Sequence, residues 1–567
     1  MVRLASFLAL ISLSLDWHTE YLVYWIRRLI FLALILPCGP AISHSDPTGT
    51  DDAGQPKIRV LGQIDFPVVT RSEDAREAFV RGALLLHLFE YPFASLEFRR
   101  ARQLDPDFVM AYWGEAMAHN HPIWDEQDRD QARAVLEQLG TTSEARAART
   151  MSPKERDYIR SLEVLYGEGS KAERDRDYRR HMADMAQRYP DDHEIRLFHA
   201  LSILGAGAGV RDIPDYMESA ALSQSVFYAN RQHPGAAHYL VHAVDDPVHA
   251  PLGLEAARAL AAMAPDAGHS LHMASHIYLA LGLWDDVVGV NARAVQVQHA
   301  MAMELGEQPR PWGHYNFWLS YGLLQQGRQT DAKTLLTRAY REIVAIGSDA
   351  AIDPMVLDSD NSPLGSVVQM WARYMIETRG ADAEVAAWKF DMGEAYDPNL
   401  NYHYVRGLLS SDAEDVSAHL SAFRTLKTRL GKKVMALPRQ APFDLLYLDR
   451  LAVIEHQLEA MRARVMGDTD MMMKHAREAS RLEGEMPHSF GPPFVDMPSA
   501  QLLGELALES GNAEEAAGAF AEQLKRSRQK TQVLLGLAHA ERARGNAEAA
   551  DQAMAQYRQS QRVSSLP

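Results

Sequence analysis

The stretch FVRGALLLHLFEYPFASLEFRRARQLDPD, residues 79–107, decides the fold. Gly82, Ala94, Phe98, Ala101 and Pro106 fall on positions 8, 20, 24, 27 and 32 of a 34-residue unit made of two antiparallel helices. Such a unit needs small residues where its helices touch, and a proline ends the second helix. The spacing predicts that position 8 faces position 20, so that a side chain larger than Ala would push the pair apart.

The register recurs along the chain. Leu503, Gly504, Gly511, Ala516 and Phe520 take positions 7, 8, 15, 20 and 24, and Gly545 follows Gly511 by one unit (545 − 511 = 34), with Ala550 behind it. Gly282 with Tyr278 and Ala294, and Gly327 with Ala332 and Ala339, mark two more units. Between them, Ser152 to Tyr166 and Glu173 to Tyr189 carry apolar residues at three- and four-residue spacing, which predicts further helices. The expected fold is therefore all-α, a tetratricopeptide (TPR)-like α-α superhelical solenoid with an N-terminal signal or anchor helix. Residues 58–345 read as an N-terminal solenoid and 446–560 as C-terminal repeats. Residues 346–445 read as an irregular helical middle, with loops at 346–364 and 430–445.

Composition narrows the chemistry. At 567 residues the chain is too long for one compact core, and 47% hydrophobic against 23% charged residues is folded material. A net charge of −17 repels phosphate backbones, so no nucleic-acid partner is expected. The single cysteine, Cys38, lies before the folded body, which then has no disulfide, thiolate ligand or thiol nucleophile. There is no HExxH, nucleophile elbow or dinucleotide fingerprint, and no Lys-Ser/Thr follows the glycine-rich run Gly205–Gly209.

The N-terminus reads as a targeting segment. Arg27 and Arg28 precede the apolar run Leu29 to Leu36, Pro37 to Pro40 break it, and Ala41-Ile42-Ser43 supplies small residues for cleavage near Ser43. The run is short for a bilayer span. A second apolar stretch, Leu4 to Leu15, fits poorly before a signal and suggests a start codon placed too far upstream. Residues 1–43 are expected to be a signal peptide or N-terminal anchor, and 44–57 a polar linker. The expected location is exported, periplasmic or extracellular. The alternative is attachment to a membrane through the uncleaved N-terminal segment alone.

The densest chemical signal lies in residues 233–276. His238 and His242 are four apart in HPGAAHYLVHAVDD, and His269, His272 and His276 are three and four apart in GHSLHMASHIY. Both spacings place imidazoles on one helix face. The sets are one repeat apart (272 − 238 = 34 and 276 − 242 = 34), and His314 takes position 2 of the next unit. In TPR proteins positions 2, 5 and 9 of the first helix line a concave groove, so the likeness to that fold implies that six histidines from three units converge there, with Tyr239 and Tyr278 beside them. An i, i+4 imidazole pair is a common helical clamp for a transition metal, so His238, His242, His272 and His276 are the candidate ligands of a divalent ion, Zn, Fe or Cu. Asp245 is the candidate general base, with Asp246 and His249 just beyond. A second cluster, His119-Asn120-His121-Pro122 with Trp124, together with His87 and Glu90 one unit earlier, either caps the same groove or satisfies loop backbone.

The chain resembles a family of bacterial TPR proteins marked by HPGxxHYxxHxxD and HMxSHI phrases. FEYPFASLEFRRARQLDPDFVMAYWGEAMAHNHPIW (89–124), HPGAAHYLVHAVDDPVHAPLGLEAARALAAMAP (233–265) and HSLHMASHIYLALGLWDDVVGVN (269–291) carry the likeness. Ala274 stands where the family has proline, a change expected to alter a helix start and not the imidazoles. The resemblance implies a TPR-like solenoid and export, and brings no reaction with it. The expected function is a binding scaffold that presents the histidine groove to a peptide or protein partner. The alternative is a metal-binding protein or a metal-dependent hydrolase or oxygenase.

Overall fold

The computed structural model describes residues 59–207, 211–347, 353–359, 362–438, 440–488 and 490–562. The signal, anchor and linker assigned to residues 1–57 lie outside them.

Helix starts follow from polar caps. Ser72, Asp192, Asp212, Asp412 and Asn512 each accept a hydrogen bond from the backbone N–H three residues on, satisfying an orphan donor of the first turn. Gly282, Gly327, Gly511 and Gly545 follow the first helices of their units with φ of 71°, 71°, 81° and 81°, a left-handed turn that glycine adopts without a Cβ clash. Helices adjacent in sequence pack against each other, from Glu73–His87 on Tyr91–Leu104 to Thr531–Ala543 on Ala547–Ser560. Among the described residues the only strands are Asn120–His121 and Glu126–Gln127, a two-residue antiparallel ladder. The architecture is an all-α, TPR-like solenoid. Among the described residues, no helix is long and apolar enough to cross a membrane.

Glycine at position 8 has a different partner from the one expected. A Cβ at Gly82 would stand 2.9 Å from the Phe98 ring, and one at Gly114, 32 residues later (114 − 82 = 32), would stand 2.3 Å from it. Gly504 and Gly536 (536 − 504 = 32) enclose Phe520 in the same way, at 2.7 and 2.5 Å. The aromatic at position 24 fills the space between successive first helices. It is this ring, not Ala94 or Ala516 at position 20, that requires the missing Cβ.

The described residues between 353 and 438 hold long helices as well as irregular segments. Pro363–Glu377, Tyr396–Leu409 and Ala413–Met435 continue the helical stack, and the boundary drawn at 445/446 falls inside the helix Pro442–Val465. The C-terminal repeats return to the N-terminal ones. Trp284 Nε1 donates to the Gln529 carbonyl at 2.9 Å and Gln325 Oε1 accepts from Thr531 N and Oγ1 at 3.0 Å each, while Lys530 pairs with Glu377 of the middle segment at 2.5 Å. Buried Arg373 and Arg450 hold the segment before the helix Ser499–Glu509 through the carbonyls of Pro493, Phe494 and Asp496, at 2.7, 2.8 and 2.9 Å. That segment carries Phe490 to a ring distance of 6.0 Å from His276.

Candidate metal centre

His233-Pro234-Gly235 sets the first histidine helix, Pro234–Ala243. His233 caps it by accepting from Ala236 N, and Pro234 supplies the pre-set φ of a first turn. Gly235 lets the helix close on the preceding repeats, because a Cβ there would stand 2.4 Å from His87 Nδ1. This approach brings His238 Nδ1 to 2.6 Å from the His87 carbonyl oxygen. A carbonyl only accepts, so Nδ1 carries the hydrogen and Nε2 presents its lone pair. Nε2 of His238, His242 and His269 are all buried without a hydrogen-bond partner. The ligand nitrogens of these three residues lie within 4.8 Å of one another.

The helix Gly268–Leu281 brings the second set. His272 Nδ1 donates to Asn291 Oδ1 at 2.8 Å, and the Asn291 amide nitrogen donates to Val287 O at 2.9 Å, which orients its oxygen toward the imidazole. His276 Nδ1 donates to Asp245 at 2.5 Å, and the Nε2 atoms of His272 and His276 are 3.0 Å apart. His314, at the start of the helix His314–Gln325, adds a third imidazole, and the three ligand atoms lie within 4.8 Å of one another. The two trios adjoin, with ring centroids 6.5 Å apart for His242 and His276 and 6.4 Å for His269 and His272.

The structure therefore divides the four proposed ligands between two sets. His238 and His242 go with His269, and His272 and His276 go with His314. His238 and His272 are fully buried and His276 is 4% exposed, so these rings face into the fold and not out of a groove. Tyr239 is buried with its hydroxyl on His87 Nδ1 at 2.9 Å. Tyr278 is not brought to the imidazoles, and its charged neighbours are Asp286 and Arg258. Asp245 is committed to His276 and is no free base. Asp246 pairs with Arg211 and His249, at 2.7 Å each. Ala274 lies six residues into its helix, so the exchange from proline concerns a helix interior and not its start.

A third trio has no lone pair to spare. Glu194 accepts from Nε2 of His87 at 2.7 Å and of His233 at 3.1 Å, while Nδ1 of each ring accepts, from the Tyr239 hydroxyl and from Ala236 N. Burial acts to raise the Glu194 carboxyl, but the two imidazoles beside it and their hydrogen bonds hold it below its ordinary range. This buried network fixes the His87 carbonyl on which His238 depends.

Aromatic rings enclose the six imidazoles. Phe89 contacts His238, His242 and His269 at ring distances of 4.4, 5.6 and 5.5 Å, and Trp124 lies 5.5 Å from His269. Tyr315 stacks on His272 at 4.7 Å and Trp318 on His276 at 4.3 Å. His121 instead stacks on Tyr91, at 4.0 Å, and the charged neighbours of His119 include Asp128, Glu115 and Arg99. Burial lowers His238 to about 3 and holds His242, His269 and His272 well below the ordinary imidazole range. These rings are neutral at physiological pH, the form in which imidazole binds a metal. Glu90 accepts from His269 N at 3.0 Å at the start of the second histidine helix, and burial pushes its carboxyl up to about 7.

Phe89, Asn291, Tyr315 and Trp318 were not singled out from the sequence. Phe89 sits in the left-handed region at φ 58°, a conformation rare for a bulky side chain. No local sequence signal marks that turn. Asn291 and Trp318 lie in helices where a buried amide or indole reads as ordinary packing.

No protein-family model matches the chain, and no curated protein is detectably similar to it in sequence. Similar solved structures include a human IFIT1 dimer with PPP-AAAA, 11% identical over 84% of this chain and 94% of that one, with a TM-score of 0.33. Yeast Tom70 is 12% identical over 86% of this chain and 93% of its own, with a TM-score of 0.26.

Proposed function

We propose that this helical-repeat scaffold binds a transition metal at His238, His242 and His269. Two observations carry the reading: the Nε2 atoms of all three residues are buried without a hydrogen-bond partner, and the three residues bring ligand nitrogens within 4.8 Å of one another. Leaving a buried polar atom unpaired costs about 1–3 kcal/mol, and three together multiply that cost. An ion bound to all three removes it. A zinc ion at about 2.0–2.1 Å from each nitrogen sets them roughly 3.4 Å apart, so the trio needs only a small inward turn of its rings. Imidazole nitrogen suits Zn²⁺, Cu²⁺ or Fe²⁺. Three protein ligands leave a further position for water or a substrate atom.

The orientation of His238 supports the same reading. Its hydrogen is taken by a backbone carbonyl, the arrangement typical of metal-bound histidine. A peptide or protein partner held directly by these imidazoles is less well supported, because buried rings offer it no edge. Export remains part of the proposal, on the Arg27-Arg28, Leu29–Leu36 and Ala41-Ile42-Ser43 order.

The test is metal content by mass spectrometry on the chain purified without a histidine tag, beside His242→Ala and His269→Ala. A bound transition metal in the parent, reduced by one equivalent in each variant, is the expected result. No metal in the parent after reconstitution with Zn²⁺, Fe²⁺ and Cu²⁺ would overturn the reading.

A further inference from the structure

The 3.0 Å between Nε2 of His272 and Nε2 of His276 needs an explanation. The Nδ1 hydrogen of His272 goes to the Asn291 amide oxygen, and that of His276 to the Asp245 carboxylate. With both hydrogens on Nδ1, each ring turns an Nε2 lone pair toward the other. Two lone pairs at this distance repel unless a cation is shared between them. The cation can be a proton or a metal ion, and His314 separates the two cases. Its ring lies 4.4 Å from that of His272 and 6.4 Å from that of His276, and its ligand nitrogen is within 4.8 Å of both. A shared proton joins two nitrogens and has no use for a third, whereas a metal ion takes all three.

We propose that His272, His276 and His314 hold a second transition-metal ion, so that the six imidazoles form a two-metal centre. The ions suited to it are the late first-row divalent cations that prefer imidazole nitrogen, Zn²⁺ and Cu²⁺ foremost. Asp245 and Asn291 are its positioning residues. Each accepts an Nδ1 hydrogen and so fixes the tautomer and the direction of an Nε2 lone pair, as outer partners of metal-bound histidine do. Trp318 and Tyr315 cover the rings and lower the local dielectric, and Phe490 lies at their edge, 6.0 Å from His276. The adjoining ring distances of 6.4 and 6.5 Å make this a neighbour of the first trio within one aromatic enclosure. The second site stands on its own hydrogen bonds and does not require the first to be filled.

His242 and His314 are the less buried members of their trios, so truncating them disturbs packing least. The experiment is native mass spectrometry of the full chain with Zn²⁺, on the parent, His242→Ala, His314→Ala and the double variant, with circular dichroism to verify helix content. The expected result is two equivalents in the parent, one in each single variant and none in the double variant. A single equivalent in the parent, lost in His242→Ala and kept in His314→Ala, would overturn the second site and leave the first. A single equivalent lost in His314→Ala and kept in His242→Ala supports the second site and removes the first. Absence of zinc from every form overturns both.

Discussion

Asp245 accepts the Nδ1 hydrogen of His276 at 2.5 Å, from the segment that follows the preceding histidine helix. Repeat n thereby orients a ligand of repeat n + 1. Asp245→Ala is expected to weaken Zn²⁺ at His272, His276 and His314 by about 10–100-fold, the usual effect of removing an outer partner, while His238, His242 and His269 keep their affinity. Asp245→Asn, whose amide oxygen still accepts the hydrogen, should lose less. Calorimetric titration resolves the two sites. Equal weakening at both would mean general loosening of the fold, and unchanged affinity would mean that Asp245 does not position His276.

Gly235 stands between fold and site. A Cβ there would meet His87 Nδ1 at 2.4 Å, and His87 is locked by Glu194 and Tyr239 and cannot give way cheaply. Gly235→Ala is expected to cost about 1–3 kcal/mol, the range for overpacking. It should also weaken the ion at His238, whose Nδ1 rests on the His87 carbonyl. Gly289, on the helix Trp284–Glu304, has no atom within 4 Å of its Cβ position. Gly289→Ala is therefore the control, expected to stabilise by up to about 1 kcal/mol through helix propensity. Denaturant midpoints for the two variants give the comparison, and an equally well tolerated Gly235→Ala would refute the close-approach role.

The case of Gly235 shows what was legible in the sequence. The 34-residue register exposed helix pairs, and the 238/272 and 242/276 offsets exposed the imidazoles, because both depend on spacing within one chain segment. The grouping into trios was not legible. It depends on how the start of the helix Gly268–Leu281 meets Glu90, 179 residues earlier in the chain, and on the left-handed turn at Phe89. The partner of position 8 was misread because Gly82 and Ala94 are both small, whereas the ring that fills the gap, Phe98, looks like any core aromatic. Burial of the histidines was equally hidden. Solenoid registers place positions 2, 5 and 9 on a concave face, and rings distant in sequence cover the imidazoles there, Phe89 and Trp124 over the first trio and Tyr315 and Trp318 over the second.

Asp397 provides a pH test at a buried group whose partners include no histidine. Its Oδ1 accepts from Tyr447 and Asn401, while Oδ2 is buried without a partner, and burial pushes the carboxyl up from 3.8 to about 6. A raised acid favours the folded state where it is protonated. Its contribution is full below about pH 4 and is lost as pH rises through about 6, because the folded state must then ionise a buried group. Asp397→Asn keeps an oxygen for both donors and removes that ionisation. The variant should be more stable than the parent by about 1–3 kcal/mol at pH 7.5, with the gap closing between pH 6 and pH 4. Thermal melts of both proteins across that range check the sign. A difference that does not vary with pH would show that Asp397 titrates as it does in the unfolded chain.

The C-terminal repeats meet the helix Pro363–Glu377 through Lys530 and Glu377, a buried ion pair with side chains 1% and 3% exposed and 2.5 Å between the charged groups. Desolvating both charges offsets most of their attraction, so the pair adds little net stability while it is intact. Removing one partner is different. Lys530→Met leaves Glu377 charged and buried, and should cost about 3–5 kcal/mol. Lys530→Met with Glu377→Leu should recover most of that loss, because neither charge is then stranded. A double-mutant cycle on the denaturant midpoint measures the coupling. Recovery in the double variant would place the energy of this junction in apolar packing around Trp284 and Tyr321, with the ion pair fixing which repeats meet. Failure to recover would mean that the Lys530–Glu377 bond itself holds the C-terminal repeats against the helix Pro363–Glu377.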